Sequence, residues 1–90
     1  MNADRRKAIN AIITTLDKIT GFSDTISEIT TLKDEEQEYY DNMPEGLQGG
    51  DKGTAAEEAV SNLQEAEDKL QEVEDALNEA LDFLRRAAGE

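Results

Sequence analysis

Leucine recurs every seven residues in the second half of the chain, at Leu63, Leu70, Leu77 and Leu84. Smaller apolar residues stand between the leucines at alternating steps of four and three: Ala59, Ala66, Val73, Ala80 and Ala87. Apolar side chains at this spacing share one side of an α-helix and are typical of the a and d positions of a coiled coil. The pattern therefore predicts a helix over about residues 54–88 that must bury this side against a neighbour.

Both ends of this predicted helix carry signals of their own. Thr54 and Glu57 fit a capping box, in which each side chain satisfies a backbone N–H group of the first turn. Arg85 and Arg86 suit the negative end of the helix dipole, and Gly89 is a typical residue for ending a helix.

The first half of the chain shows a similar but less regular spacing. Its apolar seam consists of Ile9, Ile12, Leu16, Ile19 and Ile26, and polar residues continue it at Ser23, Thr30 and Lys33. A glycine in a helix interior costs roughly 1 kcal/mol relative to alanine, so a break at Gly21 is an alternative. Because no second cluster of turn residues is present, we favour one helix over about residues 3–42.

Turn residues are concentrated between these two segments. The only proline, Pro44, is followed by four of the six glycines: Gly46, Gly49, Gly50 and Gly53. This cluster predicts one chain reversal over about residues 43–53. Folding the chain there brings the two seams together in these pairs: Ile12 with Leu84, Ile19 with Leu77, and Ile26 with Leu70. The sequence thus predicts an all-α fold in which residues 1–90 form a single domain, a coiled-coil-like antiparallel two-helix hairpin.

Two helices alone would leave some large apolar side chains outside their contact. Those that flank the two seams are Ile13, Phe22, Ile29, Val60, Leu81 and Phe83. An apolar stripe this wide is usually buried against more than one neighbour. A homodimer that forms a four-helix bundle is the simplest arrangement that buries it, so we take these residues as candidate dimer contacts.

The residue types needed for most catalysis and metal binding are missing. The chain has no histidine and no cysteine, which removes the commonest general base and the commonest metal ligands. Asp34, Glu36 and Glu38 imitate the alternation of a calcium loop, but Tyr39 stands where that loop needs glycine. We therefore expect a protein that is not an enzyme, with no metal site and no cofactor.

Charge narrows the choice of partners. The 22 acidic residues exceed the 9 basic ones and give a net charge of -13. Such a chain repels free nucleic acid and anionic membranes, yet attracts proteins that themselves bind nucleic acid. We expect no direct nucleic-acid binding and no membrane association. With neither a signal peptide nor an apolar run of membrane-spanning length, we also expect a cytoplasmic location.

The negative charge is organised as a stripe opposite the leucines, which we call the acidic face. Its members are Glu58, Glu65, Asp68, Glu72, Asp75, Glu79 and Asp82. In a helix they place one charge about every 5 Å, against about 3.4 Å along one DNA strand. The acidic face is therefore a candidate partner-binding surface, with DNA mimicry as one hypothesis. A solvated face that only provides solubility is the plainer interpretation, and both stay open.

Residues 34–88 carry a family resemblance. The segment EYYDNMPEGLQ, residues 38–48, followed by an acidic helix rich in alanine and leucine, resembles a group of short acidic proteins encoded by bacteriophages and prophages. The resemblance implies a phage origin and action in the bacterial cytoplasm. It implies no activity and no site residues, because the group has none assigned. Since small acidic phage proteins often block host defence or DNA-binding proteins, it also favours the mimic hypothesis.

These observations support a non-catalytic interaction protein that binds a host or phage protein through its acidic face. In the mimic version of this hypothesis, it inhibits a defence protein or a DNA-binding protein. The alternative is a structural or assembly homodimer whose acidic face only keeps it in solution.

Overall fold

A computed structural model of the protein describes residues 2–19 and 21–89. Within these residues all regular secondary structure is helical, so the all-α class is confirmed: α1 is Ala3–Asp17, α2 is Phe22–Asp41, α3 is Glu45–Gln48 and α4 is Asp51–Ala87. The chain divides into two compact units. Unit 1 comprises Met1–Gly21 and Glu72–Glu90, and unit 2 comprises Phe22–Gln71. The long helix α4 contributes residues to both.

The single helix predicted over residues 3–42 is wrong, because α1 ends before Gly21 and α2 begins after it. Lys18 caps α1, and the N–H group of Ile19 donates to the carbonyl of Leu16, three residues back, as in a tightened last turn. Gly21 has φ +90°, a left-handed conformation that glycine adopts at little cost and that an α-helix does not contain. The alternative considered from the sequence, a break at Gly21, is therefore the one observed, and it occurs without a cluster of turn residues. Thr20 lies outside the described residues.

The segment predicted as a turn over residues 43–53 contains helical structure. Pro44 precedes the short helix α3, and its carbonyl accepts hydrogen bonds from the N–H groups of Leu47 and Gln48. Helix α4 begins at Asp51, so the predicted start at Thr54 is too late. The Thr54 N–H donates to the carbonyl of Gly50 at 2.9 Å, which places Thr54 inside the first turn rather than at the cap.

Gly53 occupies a position of this segment that has no room for a side chain. It is buried, and a Cβ atom added to it would overlap the backbone of Gln48. The first turn of α4 therefore approaches α3 more closely than any residue with a side chain would allow. At the other end of α4, Arg85 and Arg86 lie in the last turn as predicted, and Gly89 has φ +88°, as expected of a terminating glycine.

In unit 1 the buried side of α1 differs from the predicted seam. Ile13 is only 8 % exposed, whereas Ile12 is exposed. Ile9 and Leu16 are half-buried, so the inward positions are Ile9, Ile13 and Leu16, a spacing that equally suits a helix. On α4, Leu81 is 5 % exposed, and Ala88, the residue that follows the end of α4, is also buried. The expectation that Ile13 and Leu81 lie outside the intramolecular packing is therefore wrong.

In unit 2 polar side chains join α2 to α4. The Thr30 hydroxyl donates to Glu67 Oε1 at 2.6 Å, and Lys33 Nζ donates to Gln64 Oε1 at 2.7 Å. The later residue on α2 thus bonds to the earlier residue on α4, which is the order of antiparallel neighbours.

Candidate protein-interaction surface

All seven residues of the acidic face are exposed. Three of them, Glu58, Glu65 and Asp68, lie in unit 2, and the other four lie in unit 1. Asp68 Oδ1 accepts a hydrogen bond from Gln64 Nε2 at 3.0 Å, a contact within α4 that holds the carboxylate on the surface. Each unit therefore presents a row of solvated carboxylates on its part of α4.

The heptad leucines lie on the other side of α4. Leu63, Leu70, Leu77 and Leu84 are all half-buried, and none is completely covered. This partition follows from the sequence, because residues three or four positions apart share one side of a helix. The heptad leucines are thus partly covered and the acidic face is exposed, but three of the smaller residues predicted on the same seam, Val73, Ala80 and Ala87, are exposed as well.

Glu67 is a carboxylate of α4 that is mostly covered by its neighbours. Its side chain is 12 % exposed, and besides the Thr30 hydroxyl it receives a hydrogen bond from Lys33 Nζ at 3.1 Å. These two hydrogen bonds, that of Thr30 first, lower the pKa of Glu67 from its ordinary value. Glu67 is therefore a structural carboxylate of unit 2 and is not available to a partner.

The two tyrosines before the turn have different surroundings. Tyr40 is half-buried, its backbone carbonyl accepts a hydrogen bond from Gln48 Nε2 at 3.1 Å, and a hydrogen bond to Glu57 raises the pKa of its hydroxyl. Tyr39 is exposed. Tyr40 thus ties α2 to the turn and to α4, while Tyr39 remains available for contact.

A cavity of about 280 Å³ opens beside Tyr39. We call it the turn groove, and its lining consists of Tyr39, Asn42, Met43, Pro44, Leu47 and Lys52. Leu47 is 58 % exposed although it is one of the larger apolar residues of the segment. The sequence alone did not predict a concave surface here, because α3 has only four residues and no periodic signal.

The candidate dimer contacts have several environments. Besides the buried Ile13 and Leu81, three are half-buried: Phe22, Ile29 and Val60. Phe83 is 66 % exposed, and the Arg86 guanidinium lies 5.6 Å from the centre of its ring. Phe83 is thus the candidate with the most apolar surface left to cover, and dimerisation stays a prediction.

Within residues 2–19 and 21–89, no group of three or more acidic side chains is arranged to hold a metal ion. None of the helices in that part of the chain combines the length and the apolar character needed to cross a membrane. Comparisons with protein-family models, with curated proteins and with solved structures find no match to this chain. The phage resemblance therefore remains an expectation, and the function has to be argued from the surface.

Proposed function

We propose that the protein is a non-catalytic interaction protein whose acidic face binds a basic or DNA-binding surface on a host or phage protein. The observation that carries the proposal is the exposure of all seven acidic-face residues on one helix. Exposed carboxylates attract a basic partner from a distance and raise the rate of encounter. If the partner is a protein that normally binds DNA, the acidic face acts as a DNA mimic and inhibits that partner.

The spacing of the acidic face brings like charges close together. Asp68 with Glu72, and Asp75 with Glu79, stand four residues apart, a spacing at which like charges by themselves destabilise an isolated helix by a few tenths of a kcal/mol. A basic partner surface is attracted to such a row of carboxylates, which is why we favour a functional surface.

We propose further that the helices form an antiparallel hairpin and that two copies associate as a four-helix bundle. The order of the Thr30 and Lys33 contacts in unit 2 supports the hairpin. The exposure of Phe83 supports association, because covering it with a second copy removes apolar surface from water. The same observation favours the second candidate function, a structural or assembly homodimer whose acidic face only provides solubility.

A charge-reversal variant tests the main proposal. Replacing Asp68, Asp75 and Asp82 with lysine leaves Glu65, Glu72 and Glu79 as neighbours three or four residues away and converts repulsive pairs into attractive ones. The variant should melt at the same temperature as the wild type or higher. In pull-downs from a bacterial lysate, it should lose proteins that wild type retains at low salt and that duplex DNA displaces.

A matched variant distinguishes the effect of where the acidic residues lie from the effect of the net charge of the protein. Asp24, Glu28 and Glu35 are exposed on α2, and replacing them with lysine changes the net charge by the same amount. This variant should keep its bound proteins. Equal loss in both variants would show that net charge alone matters, and retained binding in the acidic-face variant would support the assembly function instead.

A further inference from the structure

The part of α4 that belongs to unit 1 carries a regular row of exposed apolar residues, which we call the α4 stripe. Its members follow one another at steps of three and four: Val73, Ala76, Ala80, Phe83 and Ala87. Val73 and Phe83, the two large members, are 49 % and 66 % exposed, whereas Leu81 packs within the unit. Singly exposed apolar residues are ordinary on protein surfaces. Five at heptad spacing on one side of a helix have the form of a second coiled-coil seam.

Residue sizes make the α4 stripe complementary to itself when two copies run in opposite directions. If Ala76 of one copy faces Ala80 of the other at the centre, Val73 faces Phe83 towards each end. The small central pairs allow the helix axes to approach to about 8 Å, the lower end of the usual range, and the large residues fill the space beyond them. Each pairing occurs twice about a two-fold axis, so the contact closes with two copies.

Charge at the edge of the α4 stripe favours the same occupant. The Arg86 guanidinium lies 5.6 Å from the centre of the Phe83 ring, which places a cation directly beside the most exposed member of the stripe. When Phe83 faces Val73 of a second copy, the preceding residue of that copy, the exposed Glu72, comes next to Arg86. Both residues flank the seam on the same side, where charges decide the choice and direction of a coiled-coil partner.

The parallel arrangement lacks this complementarity. Parallel copies would bring Leu77 and Leu84 of the second copy beside Glu72 and Glu79, so that no ion pair forms along this edge. Antiparallel copies form two pairs of Arg86 with Glu72, and they bring Glu79 beside Glu79 of the second copy at the centre. Two attractive pairs against one repulsive pair favour the antiparallel direction.

We infer that the α4 stripe is the surface through which two copies of the chain join, side by side and antiparallel. Phe83 of each copy packs on Val73 of the other, and Arg86 of each pairs with Glu72 of the other. The inference rests on the proposed association of two copies and adds its surface, its direction and its register. It also gives a role to the seam residues of α4 that are exposed within one chain.

Two single substitutions on the acidic face should change dimerisation in opposite directions. Glu72→Gln and Glu79→Gln each remove one negative charge from an exposed position of α4, seven residues apart. Because the first removes two attractive pairs and the second removes the central repulsion, Glu72→Gln should raise the dimer Kd about threefold and Glu79→Gln should lower it about threefold. Sedimentation equilibrium measures both. Shifts of the same sign would overturn the register.

Apolar variants locate the surface. Phe83→Ala should weaken dimerisation by about tenfold or more, because it removes the largest apolar contact of the α4 stripe. Leu32→Ala is the matched control, since Leu32 is 53 % exposed and lies in unit 2, and it should leave the dimer Kd unchanged. Circular dichroism melts confirm that each variant is folded. Equal effects of the two substitutions would overturn the assignment to α4.

Cysteine cross-linking tests the direction. The chain has no cysteine of its own, so Ala76→Cys and Ala80→Cys each introduce a single thiol at an exposed position. An equimolar mixture treated with oxidised glutathione should form disulfides mainly between the two different variants, because antiparallel copies bring position 76 to position 80. Mass spectrometry distinguishes the products. Disulfides mainly between identical variants would indicate parallel copies and overturn the inference.

The remaining outcomes keep this inference separate from the proposed function. A wild type that stays monomeric at every concentration would overturn both the association and the α4 stripe. A dimer that Phe83→Ala and Glu72→Gln leave unchanged would keep the association and refute the stripe. Replacing Asp68, Asp75 and Asp82 with lysine leaves the stripe intact, so this variant should still dimerise, and its loss or retention of lysate proteins then concerns the acidic face alone. Loss of the dimer in that variant would count against the α4 stripe.

Discussion

Unit 1 and unit 2 differ in how far water reaches the polar contacts between their helices. In unit 2, Thr30 and Lys33 from α2 converge on the carboxylate of Glu67, and the side chains of Lys33 and Glu67 are only 19 % and 12 % exposed. In unit 1 the pair of Arg85 and Asp17 is 41 % and 50 % exposed. Apolar burial occurs in both units, at Ile13 and Leu81 in unit 1 and at Ala56 in unit 2, so the shielding of the polar pair is what distinguishes them.

We expect the largest loss of folding stability when a buried apolar side chain of unit 1 is shortened. Leu81→Ala removes a side chain that is 5 % exposed, and truncating a buried leucine costs about 2–5 kcal/mol. Urea denaturation followed by circular dichroism should show a much lower midpoint for this variant. Phe83→Ala, on the same helix but 66 % exposed, is the matched control and should cost less than about 0.5 kcal/mol in the monomer.

Protein concentration makes this pair of variants more informative. If two copies associate through Phe83, the Phe83→Ala effect should grow as concentration rises, because association stabilises the folded chain by mass action. The Leu81→Ala effect should be present at every concentration. A Leu81→Ala variant as stable as the wild type at every concentration would contradict the packing described for Leu81.

The next largest effect is expected where the backbones of α3 and α4 approach closely in unit 2. Gly53→Ala introduces a Cβ atom where the Gln48 backbone lies, and such overpacking costs about 1–3 kcal/mol. Gly46→Ala is the control, because no other atom lies within 4 Å of its added Cβ, and it should be neutral or stabilising by up to about 1 kcal/mol. Thermal melts of both variants measure the difference. Equal melting temperatures of the two variants would show that α3 can move away from α4 without a loss of folding stability.

The sequence was sufficient for the helical class, for the extent of α4 to within three residues, and for the outward direction of the acidic face. These features depend on periodic side chains along one helix, and such patterns are visible in a single chain. The sequence left a break at Gly21 as the alternative to one long helix and did not decide between them, because a single glycine without other turn residues nearby is compatible with both.

The inner side of the first segment was also only partly predictable. Ile12 and Ile13 are adjacent and equally apolar, so the spacing alone did not decide which one is buried. Thr30 and Lys33 looked like weak points of the seam, yet they are the residues that bond to Glu67. Glu67 itself carried no signal, since it stands among many acidic residues of α4 and only its tertiary neighbours distinguish it.

A smaller effect, dependent on pH, should belong to the polar contacts of unit 2. Because the folded-state pKa of Glu67 is lowered, first by the Thr30 hydrogen bond, the stabilisation is present above the ordinary glutamate pKa and is lost as pH falls through the folded-state value. The wild type should therefore be more stable than Glu67→Gln at pH 7, and the difference should shrink below about pH 4.

The Thr30→Val background isolates the cause of this pH dependence. Removing the hydroxyl donor should weaken the effect of Glu67→Gln at neutral pH, as expected of two residues that share a hydrogen bond. Chemical denaturation of the four proteins at several pH values gives the coupling directly. A Glu67→Gln effect that is the same at every pH and in both backgrounds would contradict the role assigned to this carboxylate.

The smallest effect is expected from an ion pair in unit 1. Arg85 and Asp17 approach to 3.4 Å, and their side chains are 41 % and 50 % exposed, against 19 % and 12 % for Lys33 and Glu67 in unit 2. Water and salt screen exposed pairs, so the Asp17→Asn and Arg85→Gln double-mutant cycle should give a coupling of about 0.2–1 kcal/mol that fades with added salt. A coupling that exceeds that of Lys33 and Glu67, measured in the same way, would mean that unit 1 also depends on a polar contact and would reverse the contrast between the two units.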